Sequence, residues 1–283
     1  MAEICVIGDR GSGKTTYLAT LLHLPDRVKR EFKGLEITPQ DQGAEELRNL
    51  AQTVITEGRH LTSTGKETEY NFNVKLPKVP GFDFTATDYS GELIGRYAAI
   101  SKEQYKLEPY LPGFFSVNGW LIMISAWELE RDALTYQPAF QYLFDRWHDE
   151  CQRKRQLKLL RVAVVLNKCE RGELWPYRLD PEYDFFKLRL PKTYNVFRKF
   201  FPSTDQLGFF ACSSFGILGD TALNQDSKIL VPSDPRPNCK VYEDGTNPDA
   251  RAELKDPSKW KPFGLISPLY WLKTGRRLKH DWL

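Results

Sequence analysis

The order of hydrophobic and polar positions along the chain predicts strands and helices in alternation. Apolar residues run almost without interruption through residues 119–125 and 159–166, which is typical of strands that are covered on both faces of a sheet. Residues 68–76 instead alternate between apolar and polar, and they predict a strand that forms a hairpin with residues 82–87. Further strands are predicted at residues 4–7 and 207–211, and a short extended piece at 35–39.

Apolar residues at three- and four-residue spacing predict the helices between these strands. Residues 16–24 form one such run, which Pro25 ends, and residues 43–57 form another, which Gly58 ends. A long helix is expected over residues 128–151, with Pro138 kinking or dividing it. The alternation predicts an α/β fold with a mostly parallel sheet of about six strands and helices on both faces.

The composition limits the classes of function. The 283 residues are 41% hydrophobic, enough for a sizeable core, and a net charge of +3 does not indicate a nucleic-acid partner. The five cysteines lie far apart without metal-site or redox spacing, and no stretch approaches the ~20 apolar residues of a membrane span. We therefore expect a cytoplasmic protein with reduced thiols.

The C-terminal part differs in composition from the rest. Six prolines between residues 224 and 262 exclude long regular elements and predict either a disordered loop or an interaction surface. Ser267 is suited to cap a short helix over residues 269–273, which Pro268 starts and Gly275 ends. We expect one main domain at residues 1–223, with 43–57 as an inserted helix, and the segment 224–283 packed on the same domain.

A phosphate-binding pattern follows the first predicted strand. The spacing from Gly8 to Gly13, Lys14 and Thr15 is that of a P-loop, in which backbone N–H groups and a helix N-terminus surround phosphate oxygens. Lys14 is expected to reach the β and γ phosphates and Thr15 to bind Mg²⁺. The alternative is a glycine-rich turn with a chance lysine. The predicted phosphate-binding residues are Gly8, Asp9, Arg10, Gly11, Ser12, Gly13, Lys14, Thr15 and Thr16.

Three later segments follow predicted strands. Asp88 begins the sequence Asp-Tyr-Ser-Gly-Glu, and an acidic residue at that position can support Mg²⁺ through water. Asn167, Lys168 and Glu170 follow the strand at 159–166; an Asn side chain can join this segment to the P-loop, a Lys stem can lie along a purine, and a carboxylate can accept two guanine N–H groups. The small-residue loop with Ser213 and Ser214 could bring backbone close to a base.

These four segments, in this order, resemble a P-loop GTPase of the Ras-like, translation-factor-related class over about residues 3–216. The resemblance implies a three-layer P-loop NTPase fold that binds GTP or GDP with Mg²⁺. It implies that the Gly91 amide senses the γ phosphate, and that a threonine, either Thr62 or Thr64, completes the metal shell together with Thr15 and Asp88. It also implies roles for Asn167, Lys168 and Glu170 in holding guanine.

Two positions depart from that class. Glu170 stands where the class usually has Asp, which puts the guanine contact in question, and Glu92 stands where Ras-like enzymes have a water-orienting Gln. Negative charge from Glu92 near the γ phosphate predicts slow hydrolysis, with Lys14, Gly91 and Glu92 as the catalytic candidates. The inserted helix and a late Pro-Leu-Tyr-Trp-Leu segment are also similar to bacterial double-GTPase proteins, which are associated with multi-component conflict or signalling systems and imply a protein partner.

Three functions follow from the sequence. The first is a slow GTPase that acts as a switch for a partner reading the loops near residues 62–64 and 88–97. The second is a nucleotide-loaded scaffold with little turnover. The third is a P-loop ATPase or small-molecule kinase, for which Arg171, Arg178 and Arg189 would have to cover the phosphates; the segment from Asn167 to Glu170 argues against it.

Overall fold

The computed structural model describes most of the chain. It covers residues 2–26, 29, 34–57, 68–76, 79–89, 92–100, 117–125, 131–153, 160–169, 175–216, 221–223, 230–232, 239–241, 252–254 and 260–278. Thr62, Thr64, Ser90, Gly91 and Glu170 lie outside these residues.

A seven-stranded sheet forms the centre of the fold. Its strands are β1 Ala2–Gly8, β2 Glu36–Pro39, β3 Thr68–Leu76, β4 Val79–Asp88, β5 Gly119–Ser125, β6 Arg161–Asn167 and β7 Leu207–Ala211. Their spatial order is β2-β3-β4-β1-β5-β6-β7. Strands β4, β1, β5, β6 and β7 are parallel, whereas β3 pairs antiparallel with β4, and β2 with β3. The expected α/β fold is confirmed, and β2 brings the strand number from about six to seven.

Helices cover both faces of this sheet. They are α1 Lys14–Leu22, α2 Gln42–Glu57, α3 Glu92–Ala99, α4 Gln137–Arg153, α5 Lys187–Arg189, α6 Pro191–Phe200 and α7 Ile266–Thr274. Shorter helical turns occupy Asp132–Tyr136, Trp175–Arg178 and Pro181–Phe186. The inserted helix predicted at 43–57 is therefore present as α2, one residue longer at its start.

The core has two parts because the side chains of a strand alternate between the faces of the sheet. On one face, α1, α2 and α7 pack against a cluster that includes Val6 and Met123. On the other face, α3, α4 and α6 pack against a cluster that includes Trp120 and Val164. Residues of β1, β5 and β6 contribute to both clusters, which explains why these strands are almost continuously apolar in sequence.

The starts of α7 and α4 also differ from the sequence prediction. Ser267 lies inside α7 rather than at its cap, because the helix begins at Ile266 with Leu265 as its N-cap. Pro268 is still in the first turn, where its missing N–H leaves no hydrogen bond unmade. At Pro138 the predicted division takes the form of a change from the π-helical turn Asp132–Tyr136 to α4.

The described residues of the C-terminal part include four three-residue strands, β8 Thr221–Leu223, β9 Leu230–Pro232, β10 Cys239–Val241 and β11 Ala252–Leu254. They form two separate antiparallel pairs, β8 with β9 and β10 with β11. Among the helices of the described residues, none combines the length and the hydropathy needed to cross a bilayer.

Candidate functional site

The site lies at the carboxyl edge of the parallel strands. The strand order reverses at β1, which has β4 on one side and β5 on the other. Open α/β sheets bind ligands at such a switch point, beyond the carboxyl ends of the strands. Here β1 ends at Gly8, β4 at Asp88 and β6 at Asn167.

The loop between β1 and α1 has the backbone conformation that a phosphate cradle requires. Gly11 has φ 72° and Gly13 has φ 85°, both in the left-handed region that favours glycine. Gly13 is also the N-cap of α1, so the first N–H groups of the helix face the loop. A Cβ atom at Gly13 would overlap the side-chain nitrogen of Asn167, so both conformation and space require glycine there.

Lys14 places its ammonium group inside this loop. Its Nζ donates to the main-chain oxygens of Gly8, at 3.0 Å, and Asp9, at 3.2 Å. Burial lowers the pKa of Lys14, and the nearby carboxylate of Asp88 acts in the opposite direction. The loop therefore holds a largely desolvated cation among backbone N–H groups, which favours an anionic ligand.

Thr15 and Asp88 form the second part of the site. The Thr15 hydroxyl donates to Oδ2 of Asp88 at 2.6 Å. Burial raises the pKa of Asp88, while Lys14 and the Thr15 hydroxyl lower it. The other carboxylate oxygen, Oδ1, is buried and has no hydrogen-bond partner among the described residues. A hydroxyl beside an unsatisfied carboxylate oxygen is a donor set that fits Mg²⁺ and its water ligands.

An ion pair that the sequence did not reveal lies at the other end of the loop. Oδ2 of Asp9 pairs with the guanidinium of Arg131, and Oδ1 accepts the Arg10 N–H at 2.7 Å. Asp9 is a buried charge, so its two partners offset the cost of desolvation. Arg131 lies directly before the turn Asp132–Tyr136, far from the loop in sequence, and no local pattern marks it.

Asn167 connects the predicted phosphate-binding loop, residues 8–15, to the end of β6. Its Nδ2 donates to the main-chain oxygen of Ser12 at 2.7 Å, and its Oδ1 accepts from the thiol of Cys212 at 3.2 Å. With both ends of its amide engaged, the buried side chain has one orientation. The next residue, Lys168, adopts φ 65°, which turns the chain sharply after β6.

The loop after β7, residues 212–216, lies beside Asn167, and we call it the base loop. The Cys212 N–H donates to the Leu166 oxygen at 2.8 Å, and the Cys212 oxygen accepts from the Cys169 N–H at 3.2 Å. The Ser213 hydroxyl is occupied within the loop by Gly216. Oγ of Ser214 is buried and, among the described residues, has no hydrogen-bond partner.

The structure thus brings together most of the residues that the sequence proposed. Lys14, Thr15 and Asp88 lie around one end of the phosphate-binding loop, and Asn167 fastens its middle to the base loop. Thr16 lies in the first turn of α1, and Glu92 is exposed at the start of α3. Arg131 and Cys212 were not predicted as site residues.

The chain matches the sequence model of a protein family described as Double-GTPase 1. The match spans residues 5–159, which is somewhat more than half of the chain. It includes the phosphate-binding loop, α2, Asp88 and Arg131. The comparison with curated proteins gave no significant match.

Several solved structures are similar to the chain at low identity. The GTPase-like domain of S. cerevisiae Ski7, bound to GDP and inorganic phosphate, is 16% identical with a TM-score of 0.41; the alignment covers 83% of this chain and 47% of that one. The chain thus spans about half the length of the Ski7 structure. The mammalian SRP receptor is 14% identical with a TM-score of 0.36, covering 76% and 92% of the two chains. The signal recognition particle receptor SRb-GTP/SRX complex from Chaetomium thermophilum is 14% identical with a TM-score of 0.38. That alignment covers 76% of this chain and 94% of the other.

Proposed function

The chain belongs to the Double-GTPase 1 family, and on this premise we propose that it binds guanine nucleotides with Mg²⁺, hydrolyses GTP slowly and acts as a switch for a protein partner. Membership of that family supports a GTP-binding domain. The observation that carries the proposal is the hydrogen bond from Asn167 to the Ser12 oxygen. It joins the loop suited to phosphate with the loops suited to a base, as one nucleotide bound across both requires.

The phosphates would lie in the loop from Gly8 to Thr15. Lys14 is already inside the loop, where it donates to two main-chain oxygens that compete poorly with phosphate for a cation. Exchange of these carbonyl contacts for phosphate contacts would keep the ammonium group satisfied. The loop amides and the N-terminus of α1 would supply the remaining positive potential.

Thr15 and Asp88 would hold Mg²⁺, with Thr62 or Thr64 as a further ligand. The buried and unsatisfied Oδ1 of Asp88 supports this assignment. When bound, the ion would neutralise charge on the β and γ phosphates. Asp88 and Thr15 would keep their mutual orientation through their 2.6 Å hydrogen bond until the ligand arrives.

The base would lie between residues 167–170 and the base loop. Lys168 would cover one face of the purine with its stem, Glu170 would accept the guanine N–H groups, and the backbone at Ser213 and Ser214 would approach the base edge. Glu170 has one methylene more than the usual Asp, so we propose that guanine is bound less tightly than in Ras-like proteins. Guanine would still be preferred over adenine, because the carboxylate of Glu170 accepts N–H donors that adenine does not present.

Hydrolysis would be slow because Glu92 replaces the usual Gln. A carboxylate can orient a water molecule but adds negative charge near the γ phosphate, whereas charge neutralisation is what the reaction needs most. We propose that the Gly91 amide contacts the γ phosphate and that residues 62–64 and 88–97 are read by the partner. Residues 224–283 would belong to the same domain.

Single-turnover hydrolysis of bound GTP tests this function. We expect a rate of about 10⁻³ per second or slower for the wild-type protein, and a faster rate for Glu92→Gln because the added charge is removed. Lys14→Ala should weaken GTP binding at least tenfold, roughly the contribution of one charge-assisted contact. A Lys14→Ala variant with wild-type affinity would contradict the placement of the phosphates.

A scaffold with little turnover is the second candidate, and Glu92 is the residue that favours it. The two functions differ in the same single-turnover experiment. If added candidate partners leave hydrolysis undetectable while GTP stays bound, the scaffold holds and the switch is contradicted. Rapid turnover by the isolated protein would exclude the scaffold.

A further inference from the structure

The C-terminal segment 260–266, which we call the strap, is hydrogen-bonded to the base loop. Ser213 and Phe263 form an antiparallel bridge, in which the Ser213 N–H donates to the Phe263 oxygen at 3.0 Å and the Phe263 N–H donates back at 3.1 Å. A second, parallel bridge joins Gly216 to Lys261. The backbone of the base loop is therefore paired along its length with a segment about 50 residues further along the chain.

Trp260 begins the strap and contacts the base loop through its side chain. Its indole Nε1–H donates to the Ser214 oxygen at 2.9 Å, and the residue is buried. Its ring stacks on His23 with centroids 6.1 Å apart. A carbonyl held by a buried donor cannot rotate without leaving that donor unsatisfied, so Trp260 fixes the peptide plane that follows Ser214.

The same strap is attached to the helix that begins at the phosphate-binding loop. The hydroxyl of Tyr17, a fully buried residue of α1, donates to the Leu265 oxygen at 2.6 Å. His23, just after α1, meets Trp260 at the other end of the strap. The strap therefore contacts both the base loop and α1, and it fixes the position of the base loop relative to α1.

We propose that the strap positions the base loop for the nucleotide, with Trp260 as a positioning residue that acts through the Ser214 carbonyl. This inference rests on the proposed function. The buried Ser214 hydroxyl, which has no hydrogen-bond partner among the described residues, supports it because the fold itself leaves this group available to a ligand. The strap thus contributes to affinity for the guanosine part of the ligand and leaves the phosphate part to the phosphate-binding loop.

Trp260→Phe tests the proposal because it keeps an aromatic ring against His23 and removes the N–H donor. The volume lost with the second ring of the indole is the same in the control variant below. We expect GDP to dissociate roughly fivefold faster, the effect of one neutral hydrogen bond. Tripolyphosphate, a probe without base or sugar, should compete for the phosphate-binding loop as well as it does in the wild-type protein. The matched control is Trp147→Phe, a buried residue of α4 on the opposite face of the sheet, which should change neither value.

Two results would overturn the proposal. One is a Trp260→Phe variant that binds GDP as tightly as Trp147→Phe does. The other is an equal loss of GDP and tripolyphosphate affinity, which indicates a merely structural role. A wild-type protein that fails to bind GDP would overturn the proposed function itself.

Hydrogen exchange in the wild-type protein provides a test that does not depend on how the variant folds. GDP should slow exchange of the Ser213 and Phe263 amides, which form the bridge between the base loop and the strap. Tripolyphosphate should leave them unchanged. Equal protection by both compounds, or by neither, would contradict a role of the strap in holding the guanosine part.

Discussion

The side-chain amide of Asn167 donates a hydrogen bond of 2.7 Å to the main-chain oxygen of Ser12. The two residues are 155 positions apart in the chain, and the bond fastens the end of β6 to the phosphate-binding loop. Because both groups are buried, loss of the donor would leave the Ser12 oxygen without a partner. This contact fixes the position of the loop relative to the end of β6.

Asn167→Ala should therefore weaken GDP binding by roughly ten- to a hundredfold, since an unsatisfied buried acceptor costs about 1–3 kcal/mol. Equilibrium titration with a fluorescent GDP analogue measures the change. Asn195→Ala is the matched control because Asn195 is exposed on α6. Equal affinities of the two variants would show that the contact does not hold the site.

Gly13→Ala should destabilise the fold even without nucleotide. Gly13 has φ 85°, and a residue other than glycine in this backbone conformation costs about 1–3 kcal/mol of folding free energy. The added Cβ would also overlap the Asn167 side chain. Urea unfolding should show a lower free energy for this variant. Gly95→Ala, in α3 where a Cβ meets nothing within 4 Å, should instead be neutral or stabilising by up to about 1 kcal/mol. The same effect at both positions would contradict the loop geometry.

Arg131→Ala should lower the free energy of unfolding by about 1–3 kcal/mol, because the buried carboxylate of Asp9 loses its ionic partner. The double variant Asp9→Asn/Arg131→Ala should recover part of that loss, since no charge is left unpaired. Chemical denaturation of the two variants side by side measures the difference. A double variant less stable than Arg131→Ala would contradict the ion pair.

Acid should destabilise the protein partly through His23. Burial lowers the pKa of His23 below its usual 6.5, and the cations of Lys29 and Arg48 act in the same direction. The unfolded chain therefore takes up a proton first, so the stability that neutral His23 provides is present above about pH 6.5 and is lost as pH falls through the folded-state value.

His23→Gln should consequently show a weaker decline in unfolding free energy between about pH 8 and about pH 5 than the wild-type protein does. His148→Gln is the control, because His148 is exposed on α4. Equal slopes for His23→Gln and the wild-type protein would contradict a half-buried, uncharged imidazole at this position.

Local patterns were sufficient to predict most of the fold. Strands β5 and β7 have the predicted bounds because buried apolar runs end abruptly at polar or small residues. The start of α7 was misplaced because Ser267 and Pro268 together have the composition of a helix start, yet Leu265 caps the helix without a side-chain bond. The helix begins at Ile266, and both Ile266 and Leu269 are buried in the core. The Ser-Pro pattern that predicts a helix start carries no information about which residues are buried.

The candidate phosphate-binding residues are likewise proposed from a local pattern, since Lys14 and Thr15 lie in one short motif. Contacts between distant segments could not be predicted from local patterns. Arg131 pairs with Asp9 across more than 120 residues, and Trp260 reaches Ser214 from a segment whose prolines suggested only a loop or a surface. Nothing in the local sequence distinguishes this tryptophan from the other six.

The affinities of GTP, GDP and ATP, measured side by side with excess Mg²⁺, test the central claim most directly. If Glu170 and the base loop hold guanine, both guanine nucleotides should bind about a hundredfold or more tighter than ATP, because adenine leaves the buried polar groups of the site unpaired. Equal binding of ATP and GTP would contradict the assignment of guanine and leave only a phosphate-binding loop.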